Sequence, residues 1–139
     1  MNYEELIKEQ RAFFNNRTTG DISFIKQSLT ALQKAIRKYE KELSEALRKD
    51  LGKAPFESYM TEIGFILSEI RHTLKHLDKW AAAKRCKTPL FLFGSTSHTR
   101  PEPYGIVLIL SPWNYPVQLL LAPLVGAIAA GNCAILKPS

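Results

Sequence analysis

Apolar residues recur with helical spacing along the first two-thirds of the chain. Between Asp21 and Leu51 they come at steps of three and four positions, which places them on one face of a helix. Because Asp21 is a favoured N-cap residue, one long helix is predicted from near Asp21 to about Leu51. A shorter amphipathic helix is predicted over residues 3–14. The apolar face of the long helix consists of Ile25, Leu29, Leu32, Ile36, Leu43 and Leu47.

A second long helix is predicted directly after the first. Gly52 suits the end of one helix and Pro55 the first turn of the next. The short connection makes the two helices antiparallel neighbours, and the second is predicted to end between Lys84 and Lys87. Its predicted apolar face consists of Tyr59, Ile63, Ile66, Ile70, Leu74 and Leu77.

The pattern changes from helical to extended after this helix. Residues 88–100 combine β-forming residues with a turn signal at Gly94–Ser95, which predicts two extended segments joined as a hairpin. An isolated hairpin is marginally stable in water, so its partner strands are expected from elsewhere.

A parallel βαβ unit is predicted for residues 105–137. The apolar run GIVLIL at 105–110 is typical of a strand buried on both faces. The loop SPWNYP at 111–116, a helix over 117–130 and a second apolar strand, CAILK at 133–137, follow it. Strand, crossover helix and strand at this spacing form a right-handed unit. The fold class is therefore predicted to be α/β, with helices leading into this unit.

Composition and charge argue against a nucleic-acid-binding protein and against a membrane-spanning one. The net charge of +6 comes from basic residues that alternate with glutamates on helical faces, which favours a solvated surface over a nucleic-acid patch. The longest apolar run, residues 119–131, is too short for a membrane span of about 20 residues. An N-terminus without an apolar segment and two isolated cysteines indicate a reducing, cytoplasmic location.

Polar groups of the βαβ unit converge on one edge. The carboxyl ends of parallel strands lie together and ligands bind there, so residues 111–114 and 137–139 are predicted to be neighbours. The Asn114 amide offers two N–H donors that suit an oxyanion, or it only caps the following helix; both remain open. Lys137, the only charged residue after Glu102, donates to sugar hydroxyls or a phosphate, or simply extends to solvent. Trp113 is expected to be a packing residue.

Other candidate groups carry less weight. Glu69, His72 and His76 have a spacing compatible with metal ligands, but the basic residues on the same turns oppose a dication, so no metal is predicted. Cys133 is expected to be an inert core thiol, and nothing near Cys86 marks it as a nucleophile. No GxGxxG phosphate loop occurs in the sequence.

The chain resembles the amino-terminal part of the aldehyde dehydrogenase superfamily over essentially all 139 residues, and the resemblance is specific from Pro101 onward. The resemblance rests on the PWNYP loop and on GN-x-x-x-x-KPS, and the entry TRPEPYG is most similar to the class 3, fatty-aldehyde type. It implies NAD- or NADP-dependent oxidation of aldehydes to acids through a thiohemiacetal. It also implies three parts: a helical part over 1–87, an oligomerisation-type hairpin over 88–103, and an incomplete Rossmann-like cofactor domain over 104–139.

The resemblance also assigns roles to residues. Asn114 matches the asparagine that holds the oxyanion, and Lys137 matches a lysine that contacts the adenosine ribose. The remaining cofactor positions are implied to be Leu110, Ser111, Pro112, Trp113 and Ser139.

The nucleophilic cysteine and general-base glutamate of the family are expected beyond Ser139. The chain is therefore expected to be an N-terminal fragment of a homodimeric enzyme that is inactive alone. The alternative is a noncatalytic helical module that recruits a partner through its basic face.

Overall fold

A computed structural model describes residues 2–139 as a helical layer followed by a short hairpin and a βαβ unit. None of its helices is long and apolar enough to cross a membrane. The helical layer contains α1 (Tyr3–Asn15), a 3-10 turn (Thr18–Gly20), α2 (Ile22–Lys38), α3 (Glu40–Leu51), α4 (Pro55–Ser58), a π-helical turn (Tyr59–Ile63) and α5 (Gly64–Ala81). The remaining elements are β1 (Lys84–Cys86), a 3-10 turn (Leu90–Leu92), β2 (Ser97–Thr99), β3 (Ile106–Leu110), α6 (Pro116–Ala129) and β4 (Cys133–Lys137).

The first long helix is interrupted at Tyr39. Asp21 caps its start as predicted, because its carboxylate accepts a hydrogen bond from the Ser23 amide at 2.7 Å, which also lowers the pKa of Asp21. At Tyr39 the backbone leaves the helical region with φ −103° and ψ 18°, so α2 and α3 are separate helices. The prediction of one continuous helix is wrong here, although Gly52 ends α3 at φ 68° as expected.

One core joins the helices to the βαβ unit. Its members come from α2, the π-turn, α5 and α6, and each fully buried Leu or Ile contributes roughly 1.5–3 kcal/mol. Because Val125 of α6 belongs to the same cluster, the helical layer is packed on the βαβ unit and shares its core. The buried members are Ile25, Leu29, Ile36, Ile63, Ile66, Leu67, Ile70, Leu77 and Val125.

The π-helical turn changes which residues face this core. Tyr59 was predicted on the apolar face, but it is 43% exposed, whereas Ser58 and Glu62 are fully buried. The wider turn takes in one extra residue, which rotates the preceding helix by about 100° relative to a continuous α-helix. Gly64 permits the turn, since a Cβ there would approach the Tyr59 carbonyl oxygen to 2.9 Å.

The hairpin begins earlier than predicted. Helix α5 ends at Ala81 because Ala82 is extended (φ −67°, ψ 137°), and β1 pairs antiparallel with β2 in the register Lys84↔Thr99. The predicted helix end at Lys84–Lys87 and the hairpin boundary at residue 88 are therefore wrong. Residues 87–96 form the connection, where the Thr88 hydroxyl accepts a hydrogen bond from the Ser97 amide at 3.1 Å.

The predicted parallel βαβ unit is confirmed, and with it the α/β class. The expectation that its first strand is buried on both faces is wrong within residues 2–139, where Leu108 and Leu110 are 61% and 64% exposed. Strands β3 and β4 pair in parallel from Ile106↔Cys133 to Leu110↔Lys137, with α6 between them in sequence. The side chain of the buried Asn132 accepts a hydrogen bond from the Gly105 amide at 2.8 Å, which ties the start of one strand to the start of the other.

Candidate functional site

The carboxyl ends of β3 and β4 meet at one edge, as the sequence predicts. The last paired residues are Leu110 and Lys137, and the Ser111 amide donates a hydrogen bond to the Lys137 carbonyl oxygen at 3.1 Å. The loop that carries Asn114 therefore leaves the sheet beside the residues that follow β4. This shared edge is the candidate functional site.

The SPWNYP loop is folded back on itself by Ser111. This side chain is buried, and its hydroxyl is shared between the carbonyl oxygens of Pro112 at 3.2 Å and Pro116 at 3.1 Å. Pro112 is exposed, and Trp113 is 73% exposed. Residues 2–139 thus offer Trp113 no core, contrary to the expectation that it is a packing residue.

A buried lysine lies beneath the loop. Lys53, in the connection between α3 and α4, is only 8% exposed, and its Nζ lies 2.5 Å from Glu62 Oε1. The same ammonium donates to the Asn114 carbonyl oxygen at 3.1 Å and lies 3.9 Å from the centroid of the Tyr115 ring. One cation therefore contacts the loop at two consecutive residues.

Glu62 holds the start of α6. Its Oε2 accepts hydrogen bonds from the amides of Val117 at 2.8 Å and Gln118 at 3.3 Å. These are orphan N–H groups of the first helical turn, and a negative charge there also interacts favourably with the helix dipole. Glu62 therefore caps α6 from another helix.

This arrangement bears on the two alternatives for Asn114. The N-cap position of α6 is Tyr115, and no side chain at that position makes a capping hydrogen bond. Because Glu62 already binds the first amides of α6, the Asn114 carboxamide is not needed there. The residue is exposed in the loop that leaves the sheet at this edge.

Sequence reasoning missed both Lys53 and Glu62. Lys53 lies in the predicted connection between the two long helices, and Glu62 is not among the residues predicted to form the apolar face. The π-helical turn that rotates Glu62 inward has no sequence signal that we recognise. The one available hint is the glycine at position 64, which a regular α-helix does not require.

Lys137 lies at the same edge, at the end of β4. Its side chain is exposed and forms no ion pair with a carboxylate in the described part of the chain. It borders a groove of about 870 Å³ between α1 and the sheet, which is also lined by Leu108, Leu110 and Leu136. Ser139 is also exposed. The ammonium and the hydroxyl are donors that suit the hydroxyl groups of a sugar.

The two helix histidines interact with each other and with a neighbouring tryptophan. The His76 Nδ1 atom donates to the His72 carbonyl oxygen at 2.8 Å, and its ring stacks on Trp80 with centroids 5.6 Å apart. Across residues 2–139 no group of three or more metal-binding side chains comes together.

The two cysteines differ in burial and are expected to differ in reactivity. Cys133 is 6% exposed at the start of β4, and burial raises the pKa of its thiol, whereas Cys86 is exposed. A raised pKa lowers the thiolate fraction at any given pH.

We therefore expect iodoacetamide at pH 8 to modify Cys86 at least about ten times faster than Cys133 in the folded full-length protein. Peptide mass spectrometry of timed samples measures both rates, and urea-unfolded protein is the control in which they converge. Equal rates in the folded protein would contradict the burial of Cys133.

Comparisons with known proteins agree with this architecture. The model of the aldehyde dehydrogenase family matches residues 2–139. The chain is 52% identical over 136 residues to 4,4'-diaponeurosporen-aldehyde dehydrogenase of Staphylococcus aureus, covering 98% of this chain and 30% of that protein. It is 44% identical to mouse aldehyde dehydrogenase family 3 member B3, covering 99% of this chain and 29% of that protein.

Solved structures show the same fold. A substrate-bound structure of Staphylococcus aureus AldH superposes with a TM-score of 0.96 at 51% identity, covering 100% of this chain and 31% of that one. Betaine aldehyde dehydrogenase from Staphylococcus aureus in complex with NAD+ superposes with a TM-score of 0.85 at 24% identity, covering 98% of this chain and 27% of that one. The chain thus spans about 30% of the length of the curated relatives it matches. From its family match and its family 3 relatives, the chain belongs to the aldehyde dehydrogenase family.

Proposed function

We propose that the full-length protein oxidises aldehydes to carboxylic acids with NAD or NADP, and that this chain supplies part of the site. The observation that carries the proposal is the shared edge of β3 and β4. There the Leu110↔Lys137 register and the hydrogen bond from Ser111 to Lys137 bring the Asn114 loop beside the KPS segment. In a parallel unit this is the edge at which a ligand binds.

Asn114 is proposed to stabilise the oxyanion. When a thiolate attacks an aldehyde carbonyl, the carbon–sulfur bond forms and the carbonyl π electrons move to the oxygen, which becomes negative. An N–H donor of the Asn114 carboxamide then binds that oxygen. A preorganised donor of this kind is worth about 10²- to 10³-fold in kcat. The nucleophile itself is proposed to come from outside residues 2–139.

Lys137 and Ser139 are proposed to bind the nucleotide part of the cofactor. Their exposed ammonium and hydroxyl groups fit the ribose hydroxyls as donors, while Leu110, Ser111, Pro112 and Trp113 form the neighbouring wall of the cleft. When bound, NAD or NADP accepts the hydride that leaves the substrate carbon. The chain's own contribution is to hold the nucleotide at the edge where Asn114 lies.

The 139-residue chain alone is proposed to be inactive. Cys133 lies at the amino end of β4, remote from the shared edge, and Cys86 lies in the hairpin, so neither is placed beside Asn114. The hairpin is proposed to serve a homodimer of the full-length protein. A cytoplasmic location is also proposed, supported by the free cysteines.

No observation favours the alternative of a separate helical binding module. The apolar faces of α2 and α5 pack on α6 in one core, and the family match covers the helices as well as the βαβ unit.

The test is an assay of the full-length protein with aldehydes of increasing chain length and either NAD or NADP, followed by absorbance at 340 nm. We expect aldehyde-dependent formation of NADH or NADPH. Lys137→Ala is expected to weaken cofactor binding about tenfold, the loss of one charge-assisted hydrogen bond. Lys49→Ala, at an exposed position on α3, is the matched control. Absence of NADH and NADPH formation with every aldehyde would overturn the proposal.

A further inference from the structure

We propose that Lys53 and Glu62 form a buried clamp that positions Asn114 for its part in the reaction. The inference rests on the proposed role of the Asn114 carboxamide and adds two residues that do not touch the substrate. They act through the backbone of the SPWNYP loop. They are therefore positioning residues.

The Lys53 ammonium fixes the middle of the loop. Three N–H groups are available on a lysine. One binds Glu62 Oε1 at 2.5 Å, one binds the Asn114 carbonyl oxygen at 3.1 Å, and the ammonium also faces the Tyr115 ring at 3.9 Å. The contacts fall on Asn114 itself and on the residue after it, so they restrict the backbone dihedral angles on both sides of the peptide that follows Asn114.

The Glu62 carboxylate fixes the far end of the loop. One oxygen binds Lys53, and the other accepts hydrogen bonds from Val117 at 2.8 Å and Gln118 at 3.3 Å. A single side chain thereby joins the start of α6 to the cation beneath the loop. At the near end, the Ser111 hydroxyl reaches the Pro116 carbonyl oxygen at 3.1 Å. The loop is thus held at its beginning, middle and end.

The buried ion pair of Lys53 and Glu62 is not explained by its contribution to stability alone. Glu62 is fully buried and Lys53 is 8% exposed, and burying two charges costs as much as their attraction returns in many proteins. What distinguishes this pair is where its remaining hydrogen bonds go. All of them reach Asn114 or the first turn of α6, which follows the loop, and a π-helical turn, a feature enriched at functional sites, brings Glu62 inward.

Positioning matters because the Asn114 side chain is exposed. Its direction depends on the backbone that carries it, and an error of about 1 Å in a catalytic group can cost on the order of a hundredfold in rate. The clamp holds that backbone without occupying the carboxamide. The donors of Asn114 therefore remain free for an oxyanion.

The test is the double substitution Lys53→Met/Glu62→Gln in the full-length protein. Both charges are removed together, so neither is left buried and unpaired, and the glutamine oxygen can still accept from Val117. We expect kcat to fall about tenfold while KM for the cofactor stays within about twofold, because the proposed ribose donors, Lys137 and Ser139, lie outside the loop that the clamp holds. Lys26→Met/Asp78→Asn, which removes the exposed ion pair at 2.8 Å, is the matched control and is expected to leave kcat unchanged.

Two further measurements separate positioning from a purely structural role. In the Asn114→Ala background the double substitution should no longer lower kcat, because the group it positions is absent. Hydrogen–deuterium exchange should increase in the peptide containing residues 111–116 and remain unchanged in β3 and β4. An equal loss of kcat in both backgrounds, or unchanged exchange in the loop, overturns the inference.

The exchange measurement does not depend on activity, so it distinguishes failure of the clamp from failure of the proposed function. If the wild-type protein is inactive but hydrogen–deuterium exchange in the loop still rises in the double variant, the proposed function is wrong and the clamp stands. Should the double variant not fold, Tyr115→Leu provides a second test, because this residue is 36% exposed and its loss leaves no charge unpaired. We expect a fall in kcat of about threefold that disappears in the Asn114→Ala background; an equal fall in both backgrounds overturns the inference.

Discussion

Replacing Asn114 with alanine is expected to lower kcat of the full-length protein about 10²- to 10³-fold, the measured range for loss of one oxyanion donor. The side chain is exposed and the Lys53 contact is made by the Asn114 backbone carbonyl, which alanine retains. The loop should therefore keep its conformation. We expect the melting temperature to change by less than about 2 °C, since no buried contact is lost.

Steady-state and single-turnover rates of NADH or NADPH formation measure this effect. Asn114→Asp is the matched variant, because aspartate keeps the shape of the side chain but has acceptors instead of N–H donors. Its loss of kcat should be at least as large as that of Asn114→Ala. If Asn114→Asp instead retains wild-type kcat, donation to an oxyanion is not the role of this residue.

The βαβ unit was predictable because its signals are local. Continuous apolar runs, a stiff loop between two prolines and a helix closed by Gly131 lie in order along 33 residues, 105–137. Because the two strands pair in parallel, the SPWNYP loop and Lys137 must lie at the same edge of the sheet, independently of the rest of the fold. The structure confirms that edge through the register Leu110↔Lys137.

The missed features depend on contacts between residues distant in sequence. Glu62 meets Val117 across 55 positions, and Lys53 meets Asn114 across 61, so no local pattern contains either pair. The π-helical turn is a second obstacle, because one extra residue moves the buried face away from the positions that regular helical spacing predicts.

Replacing Gly131 with alanine is expected to destabilise the protein by about 3 kcal/mol, through two costs that act together. Gly131 has φ 79°, a conformation that side chains with a Cβ rarely adopt, and an added Cβ would approach the Thr19 carbonyl oxygen to 2.9 Å. That oxygen belongs to backbone in a 3-10 turn, where Thr19 is buried, so it has little freedom to move away.

Gly126→Ala, inside α6, is the matched control for the substitution in the turn that follows this helix. Nothing lies within 4 Å of the Cβ it would add, and alanine is favoured over glycine inside a helix by about 0.5–1 kcal/mol. The control should therefore be neutral or stabilised. Urea unfolding of the full-length variants, with hydrogen–deuterium exchange in the peptide over residues 126–137, measures both effects. Equal stability of the two variants would mean that the Thr19 carbonyl does not constrain position 131.

Gly131→Ala is also expected to change the shared edge of β3 and β4, where the cofactor is proposed to bind. The Asn132 amide donates to Ala127 at 2.9 Å and the Cys133 amide donates to Gly105 at 2.8 Å, so the turn at Gly131 sets where β4 begins. Since β4 is only five residues long, a displaced start moves Lys137 relative to Leu110. We therefore expect Gly131→Ala to raise KM for the cofactor, whereas Gly126→Ala should not. A glycine remote from the proposed chemistry would then control the cofactor site through the register of a single strand.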